Sequence, residues 1–147
     1  MTIFPAGLLR MSTKSLSVYL QMFMRYGSPL LSRSSVVEMR KLVTGVVPYR
    51  DSSGEDEDPW RLQSLGYGVA WNWRKTTDGR RFIGHGGTIL GASHSILVNE
   101  EGTIGIVFLT MADVLSNDEL RKEMADRLGY IRRSLFKCFD HHFSRSN

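Results

Sequence analysis

The feature that most constrains this chain is a change of hydrophobic period. Residues up to about 45 follow a helical repeat, residues 67–111 alternate, and the helical repeat then returns to the C-terminal end. Ser12 and Thr13 are good N-cap residues, because a side-chain oxygen there satisfies an N–H that the first turn leaves unpaired. After them Leu16, Tyr19, Leu20, Phe23 and Met24 recur at helical spacing until Gly27-Ser28-Pro29 ends the pattern. A second helix starts at Ser32, with Val36, Met39 and Leu42/Val43 on one face, and stops at Gly45 and Pro48. Met22 and Met24 read as core packing, since a flexible thioether fills irregular gaps.

Alternation marks the middle of the chain. In Tyr67-Gly68-Val69-Ala70-Trp71-Asn72-Trp73 the bulk falls at every second position, which predicts one strand. Thr77-Asp78-Gly79 is a hairpin turn, and Arg80 to Gly84 forms the return strand. Ala92 to Val98 is the next strand, Asn99-Glu100-Glu101-Gly102 the next turn, and Thr103 to Met111 the last strand. The run Ile104 to Leu109 is apolar on both faces, which predicts a central strand covered on both sides. Short links make the meander antiparallel. From Asn117 or Asp118, the positions Leu120, Met124, Leu128, Ile131 and Leu135 predict one long helix, with acids early and Arg/Lys late as the helix dipole favours.

The expected class is therefore α+β, an antiparallel β-meander of four strands covered by helices. With 147 residues and 41% hydrophobic positions the chain suits one soluble domain or a piece of one. No apolar run approaches the roughly 20 residues that span a bilayer, so no membrane span is expected. Charge excludes a second class. The first fifty residues carry seven Lys/Arg against Glu38 alone, whereas Asp51, Glu55, Asp56, Glu57 and Asp58 make the next ten strongly acidic. The basic residues are scattered between apolar positions instead of forming a stripe with aromatics, so no nucleic-acid partner is expected. The acidic stretch lacks the ligand spacing of a calcium loop and reads as a surface loop.

Metal and cofactor sites are not expected either. Cys138, His141 and His142 fall short of the four ligands of a structural zinc site. His94 lies within a strand and reads as a satisfied sheet residue. Ser93 and Ser95 lack the elbow that exposes a triad nucleophile. Pro5-Ala6-Gly7 opens the chain on a turn, which sets the expectation that the fold begins upstream of Met1. Two short helices are also expected to leave one sheet face bare, open to an N-terminal complement or to self-association.

Several spaced segments carry a resemblance. Phe4-Pro5-Ala6-Gly7-Leu8 through Ser12-Thr13, and Leu30-Leu31-Ser32 through Met39, are similar to the corresponding stretch of the serine beta-lactamase-related family. That family contains class C beta-lactamases, penicillin-binding D-alanyl-D-alanine carboxypeptidases and related esterases. Gly66-Tyr67-Gly68-Val69-Ala70-Trp71, then Gly84-His85-Gly86-Gly87-Thr88-Ile89-Leu90-Gly91-Ala92 and Gly105-Ile106-Val107, resemble its C-terminal sheet in the family's order. Leu8 departs from a second glycine often found there.

The resemblance implies that residues 1–147 are the C-terminal portion of one beta-lactamase/transpeptidase-like domain. The family acylates a serine in Ser-x-x-Lys, assisted by Tyr-x-Asn or Ser-x-Asn, and completes the site with Lys/His-x-Gly on a strand. Only the third element is matched, by His85-Gly86-Gly87; Tyr67-Gly68-Val69 lacks the Asn. The other two are expected upstream of Pro5, in a parent acting on an amide or ester of a small molecule or peptide. By the same resemblance His85 is the catalytic candidate, donating to a substrate carboxylate or orienting the base. Gly86 and Gly87 would let substrate approach the backbone, and the Thr88 amide would donate to the oxyanion. No cofactor is implied. The alternative is a non-catalytic truncated derivative serving as an interaction or structural module.

Overall fold

The computed structural model describes residues 9–43, 63–76, 78–89, 91–111 and 118–143. Two helices come first, α1 (Thr13–Met24) and α2 (Arg33–Arg40). Five strands follow: β1 (Gln63–Tyr67), β2 (Asn72–Lys75), β3 (Arg81–Ile89), β4 (Ala92–Asn99) and β5 (Gly105–Thr110). The last element is the long helix α3 (Asp118–Phe143). The strands form one antiparallel sheet in the order β1-β2-β3-β4-β5, a simple meander. The α+β class read from the sequence is thus the observed one.

Local chemistry sets the helix ends as anticipated. The Ser12 hydroxyl accepts from the Ser15 N–H at 3.1 Å, and Ser32 does the same for Ser35. At the far end of α1 the Gly27 N–H donates to the Met22 carbonyl at 2.8 Å, with Gly27 at φ 101. Two left-handed residues close the helix there, Tyr26 at φ 54 and Gly27, and only the glycine takes that conformation without a Cβ penalty. Pro5-Ala6-Gly7, Gly45, Pro48 and the acidic stretch 50–59 lie outside the described residues.

Two cores flank the sheet, because strand side chains alternate between faces. On one face Leu20, Phe23 and Val36 of α1 and α2 pack against Trp71, Trp73, Ile83 and Val98. Phe23 stacks on Trp71 with ring centroids 3.9 Å apart, and Met22 of the same helix is also buried. On the other face Phe136 of α3 packs with Phe82, Leu97, Ile104 and Ile106. The bare face expected from the sequence is therefore covered over the middle of the sheet, since α3 takes one side and both short helices take the other.

Three expectations need correction. The single strand over residues 67–73 is two strands joined by a turn. The Gly68 N–H donates to the Trp71 carbonyl at 2.7 Å, and Ala70 has φ 62. Gly68 also lies against the Met39 and Lys41 carbonyls, where a Cβ would collide. Small residues that mimic the strand period are here the requirements of a tight turn. Second, β1 begins at Gln63, ahead of the predicted start at Tyr67, because the polar start of its sequence conceals it. Third, β5 is at the edge of the sheet, not its centre. The cover expected on both its faces is nonetheless present, since α1 and α3 contact it from opposite faces; Leu20 and Met24 come so close to Gly105 that a Cβ there would meet both.

Candidate functional site

The return strand is longer than the Arg80–Gly84 segment read from the sequence, and its extension carries the glycine-rich motif. β2 pairs with Arg81–Gly84 of β3 only, through Asn72↔Gly84 and Lys75↔Arg81. Beyond Gly84, residues His85–Ile89 pair with Ile96–Ala92 of β4 on one side. Their other side is an open edge among the described residues.

Which amides face that edge follows from the ladder. The Arg80 carbonyl accepts from the Thr76 N–H on the β2 side, whereas the Arg81 carbonyl accepts from the Glu100 N–H on the β4 side. Backbone groups alternate sides along a strand. Gly86 and Thr88 therefore direct their N–H and C=O groups to the open edge, while His85 and Gly87 direct theirs to β4. Gly87 has open space where a Cβ would stand, and Gly86 has the His94 carbonyl at 3.2 Å from that point. Gly84 is tighter still, pressed against the Ile96 carbonyl and the Leu97 side chain.

Beside this edge, between α3 and the sheet, lies a cavity of about 360 Å³. Gly86, Gly87 and Thr88 line it, together with Arg74, Arg132 and Phe108. The Thr88 and Ser93 hydroxyls are 3.2 Å apart at its wall. His85 does not line it. By strand alternation its side chain shares the face of Ile83, opposite the cavity, and it is exposed. Three of the four site residues named from the sequence are thus gathered at one cavity, and the fourth is turned away from it.

The electrostatics are dominated by two arginines. The Arg74 Nε donates to Asn72 Oδ1 at 3.0 Å. Burial lowers the Arg74 pKa, with a partial opposing effect from Tyr67. Burial, and then the Arg74 charge, push Arg132 down to about 10. No Asp or Glu is among the described residues that line the cavity.

The other residues weighed from the sequence lie on β4 and α3. His94 Nδ1 accepts from the Thr110 N–H at 3.4 Å, which matches its reading as a satisfied sheet residue. Ser93 and Ser95 line the cavity on β4, a regular strand with no elbow. Cys138 is exposed, and the described residues contain no group of three metal-ligating side chains. The side chains of His141 and His142 lie outside the described residues. The Ser-x-x-Lys spacing occurs once, as Ser134-Leu135-Phe136-Lys137 in α3, a match that the sequence analysis passed over. Phe136 faces the sheet and Ser134 is exposed, so this serine is directed away from the open edge of β3.

The arginine pair was also missed, although the sequence carries a signal for it. Leu128, Arg132 and Phe136 share one helical stripe at intervals of four. Arg132 therefore stands where an apolar residue is expected, and Arg74 alternates with the buried Trp73. A cation on a core-facing stripe is the anomaly to look for.

Compared with known proteins, the chain matches no family model and no curated protein. Among the described residues, no helix is long and apolar enough to cross a membrane.

Proposed function

We propose that this chain is the C-terminal sheet segment of a beta-lactamase-related serine hydrolase, and that it lacks hydrolytic activity alone. The parent cleaves an amide or ester of a small molecule or peptide. A serine hydroxyl oxygen attacks the carbonyl carbon, and the amine or alcohol leaves with a proton returned by the general base. Water then releases the acyl group from the serine. This segment supplies one wall of that site, while Ser-x-x-Lys and its Tyr/Ser-x-Asn partner come from the portion before Pro5-Ala6-Gly7.

One observation supports the reading beyond the sequence resemblance. The Thr88 N–H lies on a strand edge unpaired among the described residues and is preceded by two glycines, the environment an oxyanion donor needs. Such a donor lowers the barrier by roughly 2.7–4 kcal/mol. His85 sits on the same edge but on the face away from the cavity. Its role in this reading is to orient the base or to meet a substrate carboxylate from that side.

The test is covalent labelling. The native species is captured from its own cells with an antibody to this chain, treated with a fluorophosphonate, and mapped by peptide mass spectrometry. An adduct on a serine of Ser-x-x-Lys outside these 147 residues is expected. An adduct on Ser134, or none at all, contradicts the proposal and favours a non-catalytic module.

A further inference from the structure

A buried guanidinium is stable only when its donors are matched, because transfer from water is unfavourable without compensating partners. Arg132 breaks that rule. Its Nε is buried and has no hydrogen-bond partner among the described residues. It lines the same cavity as Arg74, so two like charges share a site that no carboxylate among the described residues lines. Arg74 spends its Nε on Asn72. One of its terminal nitrogens lies 3.8 Å from the point a Gly86 Cβ would occupy, beside the glycine edge of the cavity.

The remaining wall mixes polar side chains, Thr88, Ser93, His94 and Ser95, with the apolar Phe108 and Leu128. The Thr88 and Ser93 hydroxyls stand together, and Ser95 is the next residue of β4 on that face. Hydroxyls can turn their protons toward an acceptor, and two planar guanidinium forks match the paired oxygens of a carboxylate or phosphate. The volume, about 360 Å³, suits a small ligand. We propose that this cavity is a binding site for a small dianion whose paired oxygens bridge Arg74 and Arg132, with Thr88 and Ser93 as supporting donors. The chemistry is shared by a phosphate group and by a dicarboxylate. The site does not depend on the hydrolase reading, since every residue it invokes belongs to this chain.

The experiment uses the full 147-residue chain. Inorganic phosphate and succinate are titrated separately at constant ionic strength set by chloride, and binding is followed by the Gly86 and Gly87 amide resonances and by thermal unfolding. A saturable shift with either anion supports the site, and the tighter of the two names the source of the oxygens. Arg132→Met keeps the apolar stem and removes the charge. It is expected to weaken binding about 30-fold or more, as loss of one partner of a buried charge pair does, and to raise the melting temperature in chloride alone. Arg74→Gln is the second variant, expected to weaken binding by a similar factor. No saturable shift with either anion overturns the proposal, as does undiminished affinity in both variants. A purely structural arginine would show the opposite stability signature, a lower melting temperature in chloride.

Discussion

Phe23→Ala removes the ring that joins α1 to the turn between β1 and β2. Phe23 is fully buried and lies 3.9 Å, centroid to centroid, from Trp71, nearly parallel to it. Truncating a buried Phe to Ala destabilises a domain by about 3–5 kcal/mol, because both transfer energy and cavity formation contribute. The lost stacking accounts for roughly 0.5–1.5 kcal/mol in measured aromatic pairs, part of it already inside that figure. A loss of about 4 kcal/mol is a large share of the roughly 5–15 kcal/mol that holds a domain folded. Urea denaturation followed by tryptophan emission measures it directly, since Trp71 and Trp73 both belong to this core. Val37→Ala on the exposed face of α2 serves as the comparison and is expected to change stability by no more than about 0.5 kcal/mol. A Phe23→Ala loss below about 1 kcal/mol, with an unchanged denaturant slope, would refute the claim that α1 and the sheet share one core.

Three further outcomes follow from single sites. Gly84→Ala drives a Cβ into the Ile96 carbonyl and Leu97, so a loss of at least about 1–3 kcal/mol is expected, whereas Gly87→Ala, three positions further along the strand, meets open space and changes stability by no more than about 0.5 kcal/mol in the same urea assay. Hydrogen bonds from Arg80 and Thr76 hold the Asp78 carboxyl down at about 2. A folded pKa below the unfolded value of roughly 3.9 gives stability that is present above pH 4 and lost as pH falls toward 2. An acid titration of wild type against Asp78→Asn should therefore show the two curves converging over that window, and a constant gap would contradict it. Ser12→Ala removes the N-cap of α1 and is expected to lower stability by about 1 kcal/mol, read from the urea midpoint.

What could be read from the sequence divides along physical lines. Helix ends were legible because capping is local: Ser12, Ser32 and Gly27 act within a few residues of themselves. Strand identity in β3, β4 and β5 was legible from alternation and from the turns at Gly79 and Gly102, both at positive φ. The segment around Gly68 misled because its reason is distant, the carbonyls of Met39 and Lys41 in a chain segment far away in sequence. The edge position of β5 was also hidden. A run that is apolar on both faces reports two covering layers and says nothing of neighbours within the sheet. At the site, the motif Gly86-Gly87-Thr88 was visible as a string, but the side it faces depends on where β2 stops. The arginine pair belongs to two elements more than fifty residues apart, and only their shared core-facing register announces it.

The reading of this chain as part of a larger acyl-serine hydrolase is tested most directly by the intact mass and N-terminal sequence of the species its own cell makes. The account predicts a protein heavier than 16.7 kDa with Ser-x-x-Lys ahead of Phe4-Pro5-Ala6-Gly7. A species of 16.7 kDa that begins at Met1 would contradict it.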